Sequence, residues 1–193
     1  MAATVRTAHR TLVLGGTRSG KSGYAEELLP ADAPVRYLAT ARYDRDDQEW
    51  TDRIAAHRAR RSPRWRTLEE NELSAELTRP DEQPMLVDDL ATWLTGELDD
   101  AGAWDGGGAA LVRVAGRVDD VVRAVGSCPT QLVLVSAEVG LGVVPATRSG
   151  RLFRDELGAL NARLAQVCDE VVLLVAGIPL TLRSADPQAR SQV

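Results

Sequence analysis

The fold is decided near the N-terminus, where residues 11–22 read TLVLGGTRSGKS. The apolar run Thr11–Leu14 predicts a buried strand, and Gly15–Ser22 matches the phosphate-loop pattern G-x-x-x-x-G-K-[ST]. Such glycines let the backbone wrap around a phosphate with its N–H groups turned inward, at the start of a helix. This stretch therefore predicts an α/β domain that binds a nucleotide between its first strand and a helix over residues 21–29.

The side chains of this loop have separate expected roles. Lys21, a predicted catalytic residue, would reach the β- and γ-phosphates, Ser22 would ligate Mg²⁺ through its hydroxyl, and Arg18 would stabilise charge on the equatorial oxygens. A Gly-rich turn that binds nothing is the alternative, and the strand-to-helix context argues against it. The nucleotide-binding residues predicted from the motif are Gly15, Gly16, Thr17, Arg18, Ser19, Gly20, Lys21 and Ser22.

The rest of the chain alternates between strand and helix patterns. Continuously apolar runs are typical of strands that helices cover on both faces, and apolar residues at helical spacing indicate amphipathic helices. Strands are predicted over residues 35–39, 85–87, 132–135 and 171–175. Helices are predicted over residues 111–125, 152–167 and 48–60, the last capped by Asp46 or Asp47. This order predicts an α/β fold with a mostly parallel central sheet and helices on both faces.

The length of 193 residues fits a single domain. We expect a flexible N-terminal segment over residues 1–10, one P-loop domain over residues 11–183 and a flexible tail over residues 184–193, with a connecting loop over residues 99–108. No run approaches the roughly 18 apolar residues that span a bilayer, and the start has no apolar signal segment. We therefore expect a cytoplasmic protein without membrane insertion.

Composition narrows the class of function. The chain has 23 Lys and Arg against 28 Asp and Glu, a net charge of -5, which argues against a general nucleic-acid binder. Cys128 and Cys168 belong to no C-x-x-C pair, so we predict reduced, partly buried thiols without chemistry. The absence of an N-K-x-D guanine-reading motif disfavours a switch GTPase. A small-molecule transferase remains the favoured class.

Asp88 is a candidate metal ligand outside the phosphate loop. It follows the apolar run Met85–Val87, where P-loop enzymes carry a carboxylate that binds Mg²⁺. A solvated loop aspartate beside Asp89 is the alternative.

His57 is a candidate nucleophile. On a helix it would share one face with Arg53 and with Arg60 or Arg61. A neutral imidazole among guanidiniums could attack phosphorus and hold a nucleotidyl group as a phosphoramidate. The spacing alone leaves open a solvated basic helix face that carries no chemistry.

A longer set of motifs extends the argument beyond the phosphate loop. They are Tyr37–Ala41, Arg53–His57, Trp65–Glu69, Leu86–Asp88, Glu138–Pro145, Phe153–Asn161 and Ala176–Leu180. In this order they resemble the bifunctional adenosylcobinamide kinase / adenosylcobinamide-phosphate guanylyltransferases of cobalamin biosynthesis. The resemblance covers about residues 11–183 and is more specific than the phosphate loop alone.

The resemblance implies a P-loop enzyme with two activities. It would phosphorylate adenosylcobinamide with ATP or GTP and then transfer GMP from GTP to adenosylcobinamide phosphate, with His57 carrying GMP covalently. It further implies Mg²⁺, GTP or ATP as the substrate nucleotide, and a homotrimer. The residues implied to line the nucleotide site beside the phosphate loop are Thr40, Ala41, Arg42, Arg58, Ala59, Arg60, Arg61, Glu69 and Asp88.

The chain also departs from the family pattern. The segment 42–52 is about two residues longer than expected, Trp50 stands where a methionine is usual, Asp89 replaces a cysteine, and Ala137 replaces an asparagine. These departures give weight to a second enzyme hypothesis, a monofunctional small-molecule kinase. In such a kinase the basic helix only binds phosphate and no protein-bound GMP forms. A nucleotide-binding regulator, which would bind GTP without turnover, is the alternative from another class.

Overall fold

The computed structural model describes residues 9–42, 52, 55, 58, 61–69, 72–105 and 107–184. The strands are β1 (Arg10–Gly15), β2 (Arg36–Ala39), β3 (Arg66–Glu69), β4 (Met85–Asp88), β5 (Leu132–Ala137), β6 (Glu170–Val175) and β7 (Ile178–Arg183). The helices are α1 (Lys21–Glu27), α2 (Leu73–Thr78), α3 (Leu90–Ala101), α4 (Gly108–Ser127) and α5 (Arg148–Val167). These strands form one sheet in the order β3-β2-β4-β5-β1-β6-β7, in which β7 alone is antiparallel to its neighbour.

Both faces of the sheet are covered by helices, as the sequence predicted. Successive strand residues point to opposite faces, so Leu12 and Leu38 join the core beneath α2 to α5, whereas Val13 and Tyr37 join the core that contains Ala25 of α1. Apart from Thr11, Arg36 and Ser136, the buried side chains of β1, β2, β4 and β5 are therefore apolar. None of the described helices is both long and apolar enough to cross a membrane.

The five strands and two long helices predicted from apolar patterns are confirmed. The structure adds β3 and β7, which lie at the two edges of the sheet. Three of the four residues of β3 are polar, and β7 alternates apolar residues with Pro179 and Thr181, so neither strand is a continuously apolar run. It also adds α2 and α3. The loop predicted over residues 99–108 begins only at Gly102, because α3 continues to Ala101 and ends on a left-handed glycine, φ 60°.

Some predictions fall outside the described residues. Of the helix predicted over residues 48–60, only residues 52, 55 and 58 are described, and these are helical and exposed. Residues 1–8 and 185–193 are not described, so the two flexible terminal segments remain predictions.

The parallel arrangement brings the carboxyl ends of four strands to one edge of the sheet. Gly15 of β1 lies opposite Ala137 of β5, and Ala39 of β2 lies opposite Asp88 of β4. In open α/β sheets, ligands bind at this carboxyl edge. The phosphate loop and Asp88 therefore share the edge where a nucleotide is expected.

The start of β1 is fixed to the turn before β6 by a charged pair. The backbone N–H of Arg10 donates to Oδ2 of Asp169 at 2.8 Å, and its Nε donates to the same oxygen at 3.1 Å. Partial burial alone would raise the pKa of Asp169, but the hydrogen bonds and charge of Arg10 outweigh it and hold that pKa below its ordinary value.

We predict that Asp169→Asn lowers the free energy of unfolding at pH 7 by about 1 kcal/mol. Because the folded-state pKa is depressed, the carboxylate contributes stability above its unfolded pKa, near about 4, and loses it as the pH falls through the folded value. Urea unfolding of both proteins should show a difference at pH 7 that shrinks below about pH 4. An equal difference at both pH values would contradict this account. Asp155→Asn, at an exposed position of α5, serves as the control.

Both cysteines are unpaired, as predicted, and they are fully rather than partly buried. Burial raises the pKa of Cys168 to about 12 and also raises the pKa of Cys128. Since the thiolate is the reactive form, we expect the native protein at pH 8 to resist a disulfide-exchange reagent, and the denatured protein to release the signal of two thiols. Rapid labelling of the native protein would show that one thiol is accessible.

Candidate active site

The phosphate loop has the backbone conformation that its glycines predict. Gly15 ends β1, Gly20 precedes α1 with φ 90°, and Lys21 opens the helix as a buried side chain. Ser19 N–H donates to Gly16 C=O at 3.3 Å, which closes the loop on itself. The loop thus turns sharply between strand and helix.

The turn between β6 and β7 contacts the phosphate loop. The N–H of Gly177, in the turn between β6 and β7, donates to the carbonyl of Ser19 at 3.1 Å. An added Cβ on Gly20 would lie 3.7 Å from the Cα of Gly177, so the two backbones are in contact. The position of the phosphate loop is therefore set by the hairpin as well as by α1.

Asp88 is not a solvated loop residue. Its Oδ1 accepts a hydrogen bond from the hydroxyl of Ser22 at 3.2 Å, and its Oδ2 accepts one from the hydroxyl of Tyr37 at 2.5 Å. Burial, and then the charge of Asp88, raises the pKa of Tyr37 well above its ordinary value, so this phenol remains a donor. The structure thus places the two residues predicted to bind metal side by side.

These oxygens fit a magnesium ion. Mg²⁺ takes oxygen ligands at 2.0–2.1 Å in octahedral geometry, so two adjacent ligand oxygens lie about 3 Å apart. The separation between Ser22 Oγ and Asp88 Oδ1 is close to this value. Among the described residues no three His, Cys, Asp or Glu side chains form a metal cluster. A site built from one carboxylate, one hydroxyl and substrate phosphates matches the way Mg²⁺ binds in nucleotide enzymes.

Thr40 ties the end of β2 to the start of α3. Its hydroxyl donates to the carbonyl of Asp89 at 2.6 Å and lies 2.5 Å from the hydroxyl of Thr92. The Asp89 side chain in turn accepts from the Thr92 N–H at 2.8 Å and caps α3. Burial raises the pKa of Asp89. The aspartate that departs from the family pattern therefore has a structural role as a helix cap.

Arg42 lies against α3. Its guanidinium donates to both oxygens of Asp100, at 2.7 and 2.6 Å, and these bonds hold the pKa of Asp100 below its ordinary value. An added Cβ on Gly96 would lie within 2.9 Å of three guanidinium atoms, so this glycine is needed for the close approach. Thr40, Ala41 and Arg42 line one side of a cavity of about 600 Å³.

The lining of this cavity also includes a network of three charged residues. Arg117 of α4 contacts Glu72, at the start of α2, at 2.9 Å and Glu97, on α3, at 3.1 Å. The floor is apolar and includes Trp93 and Leu68. The cavity therefore combines an apolar floor with a charged rim, next to residues implied to bind the nucleotide.

Besides Arg42, two arginines of the implied nucleotide site lie among the described residues. Arg58 pairs with Glu69, at the end of β3, at 3.2 Å. Arg61 stacks on the ring of Tyr37, with its Cζ 3.6 Å from the ring centroid. His57, Ala59 and Arg60 lie outside the described residues, so their roles remain predictions.

Ala137 is another departure from the family pattern, and its backbone is joined to α5. Its carbonyl accepts a hydrogen bond from Nδ2 of the buried Asn161 at 3.0 Å, and Oδ1 of Asn161 accepts from Ser136 at 2.6 Å. Asn161 thus joins α5 to the end of β5. Sequence reasoning had placed Asn161 in a family motif without a contact, because side-chain pairing between distant elements leaves no local pattern.

Comparison with known proteins agrees with this geometry. The family model for cobinamide kinase / cobinamide phosphate guanyltransferase (CobU) matches residues 11–182. The chain belongs to this family. The resemblance predicted from the motifs is therefore confirmed, and the chain is a P-loop α/β transferase of the cobinamide kinase / guanyltransferase family.

Three curated relatives match the chain over nearly their whole length. A bifunctional adenosylcobalamin biosynthesis protein CobP from Pseudomonas aeruginosa is 42% identical over 90% of this chain and 97% of its own. Proteins with the same description, named CobU, are 40% identical in Salmonella typhimurium and 37% identical in Escherichia coli, each over 89% of this chain and 98% of the relative. Similarity on this scale places the whole described domain within the family.

The tight approach at Gly15 gives a prediction for this site. An added Cβ at Gly15 would lie 2.4 Å from Ser19 Oγ and 3.1 Å from the Leu174 carbonyl, so Gly15→Ala should distort the loop and weaken GTP binding at least about ten-fold. Gly23→Ala, in α1, is the control, because nothing lies within 4 Å of the added methyl. Calorimetric titration with GTP compares them. Wild-type affinity in Gly15→Ala would show that the loop adjusts freely.

Proposed function

We propose that the chain phosphorylates adenosylcobinamide with ATP or GTP and then transfers GMP from GTP to adenosylcobinamide phosphate. The observation that carries the proposal is the contact between Ser22 and Asp88 behind a complete phosphate loop. Family membership supports both activities and names the corrinoid as the substrate. Because both nucleotides are cytoplasmic metabolites, we place the reaction in the cytoplasm.

Phosphoryl transfer uses the carboxyl edge of the sheet. The loop amides and Lys21 bind the β- and γ-phosphates, and Arg18 reaches the transferring group. Ser22 and Asp88 would hold Mg²⁺, which neutralises charge on the phosphate oxygens when bound. The substrate hydroxyl attacks the γ-phosphorus, the bond to the β-phosphate oxygen breaks, and the hydroxyl proton is released. Positioning and charge stabilisation account for most of such catalysis.

Guanylyl transfer needs attack at a different phosphorus. We propose that a neutral ring nitrogen of His57 attacks the α-phosphorus of GTP, breaking the α–β bond and releasing pyrophosphate. An oxygen of adenosylcobinamide phosphate then attacks the same phosphorus, frees the histidine and forms adenosyl-GDP-cobinamide. Neighbouring arginines would favour the neutral imidazole, since nearby positive charge lowers a histidine pKa.

We further propose that the protein is a homotrimer and that β7 contributes to its interface. Ile178, Leu180 and Leu182 lie on this edge strand and are each more than half exposed. An exposed apolar edge strand is a surface that natural proteins usually cover. Light scattering after size-exclusion chromatography should give about three times the 20.8 kDa chain mass; a monomer would overturn this assignment.

The guanylyl step predicts a covalent intermediate. With Mg²⁺ and GTP labelled at the α-phosphate, the protein should acquire label that acid removes and alkali does not, as expected for a phosphoramidate. His57→Ala should abolish this label while phosphorylation of cobinamide from γ-labelled GTP continues. His9→Ala is the matched control, because His9 is the other histidine and pairs with Glu170 at the far end of β6.

Other outcomes separate the alternatives. If no α-label appears while the γ-phosphate is transferred to cobinamide, the protein is a monofunctional kinase and the basic helix only binds phosphate. If GTP binds and neither group is transferred, the protein is a nucleotide-binding regulator. Label that persists in His57→Ala would place the intermediate on another residue.

A further inference from the structure

Tyr37 is a completely buried side chain that touches both halves of the proposed site. Its hydroxyl donates to Oδ2 of Asp88 at 2.5 Å. The Cζ of Arg61 lies 3.6 Å from the centroid of its ring, and the ring centroids of Tyr37 and Trp65 are 6.3 Å apart. One side chain of β2 thus links the predicted metal ligand with an arginine of the implied nucleotide site.

The hydroxyl of Tyr37 fixes the orientation of the Asp88 carboxylate. A carboxylate at the end of a strand can rotate about its terminal bond unless both oxygens are held. Here Ser22, at the start of α1, holds Oδ1, and Tyr37, on the neighbouring strand, holds Oδ2. The hydrogen bond from Tyr37 has the short length typical of a neutral hydroxyl bonded to a carboxylate.

The ring of Tyr37 holds Arg61 in a defined place. Cations over the face of a buried tyrosine are attracted by its π electrons. A single hydrogen bond from Nη1 of Arg61 to Thr67 Oγ1, at 3.2 Å, completes the described contacts of this guanidinium. Its Nε is buried without a hydrogen-bond partner among the described residues. The stacking on Tyr37 is therefore a main constraint on where Arg61 points.

We infer that Tyr37 is a positioning residue with two separable roles: its hydroxyl orients Asp88 for metal-dependent phosphate binding, and its ring places Arg61 for guanylyl transfer. This inference rests on the proposed function. Tyr37 does not touch the reacting atoms, and it acts only through the two residues it contacts. A residue that merely fills the core would affect both reactions through stability alone.

The first test removes the hydroxyl and keeps the ring. Tyr37→Phe retains the surface on which Arg61 stacks but leaves Oδ2 of Asp88 without this donor. Binding of a non-hydrolysable GTP analogue is measured with Mg²⁺ and with a chelator. The gain in affinity that Mg²⁺ provides should fall about ten-fold in the variant. Affinity in the chelator should stay within about two-fold of wild type.

The second test removes the ring as well. Tyr37→Leu should also slow labelling of the protein by α-labelled GTP about ten-fold relative to Tyr37→Phe, because Arg61 loses its stacking surface. Arg61→Ala should slow that labelling to a similar degree. It should retain the Mg²⁺-dependent gain in affinity, since the hydroxyl of Tyr37 still contacts Asp88.

Tyr24→Phe is the matched control. Tyr24 is partly buried and packs against the core cluster that contains Tyr37, and its hydroxyl has no contact with Asp88 in the part of the chain that is described. It should leave the Mg²⁺-dependent gain and the labelling rate unchanged. Thermal unfolding of every variant records any loss of stability.

The outcomes decide between a positioning role and packing. If Mg²⁺ raises the affinity of Tyr37→Phe for the GTP analogue as much as that of the wild type, the proposed role of the hydroxyl is wrong. If α-labelled GTP labels Tyr37→Leu and Tyr37→Phe at the same rate, the proposed role of the ring is wrong. Parallel losses of both readouts in proportion to thermal stability would show packing only. If the wild-type protein binds the analogue but transfers neither group, the proposed function fails, while the Mg²⁺-dependent binding still tests the hydroxyl.

Discussion

The carboxylate of Asp88 receives hydrogen bonds from two different elements at the carboxyl edge of the sheet. Ser22 comes from the helix that follows the phosphate loop, and Tyr37 comes from the strand beside β4. Because these donors lie on different elements, the carboxylate has this orientation only when α1 and β2 are both in place beside β4. The geometry of the proposed metal site therefore depends on the packing of α1 and β2 against β4.

The strand order explains why this contact has to be built by side chains. β5 lies between β1, which leads into the phosphate loop, and β4, which ends in Asp88. No backbone ladder joins β1 to β4, so the Ser22 hydroxyl bridges the gap between α1 and the end of β4. On the other side, Thr40 and the Asp89 cap connect β2 to α3. The site is thus assembled from contacts across the edge rather than within one element.

Much of the fold could be predicted because buried elements have characteristic apolar patterns in the sequence. Strands covered on both faces are apolar throughout, and the phosphate loop needs glycines at fixed positions. The two edge strands are not continuously apolar, because β3 is mostly polar and the apolar residues of β7 alternate with Pro179 and Thr181, so neither was predicted. Asp99 and Asp100 resembled turn residues, yet they occupy the last turn of α3, where one carboxylate pairs with Arg42. Tyr37 looked like an ordinary core residue because nothing in an apolar strand reveals what its hydroxyl contacts.

The hydrogen bond between Gly177 and the carbonyl of Ser19 joins the phosphate loop to the hairpin of β6 and β7. The hairpin carries the exposed apolar strand, so one short turn separates the outer surface of the sheet from the nucleotide loop. The contact joins two backbone groups, so a displacement of the turn between β6 and β7 would change the environment of Ser19. By thermodynamic reciprocity, any event on that edge that favours one loop conformation is itself favoured by a nucleotide that selects the same conformation.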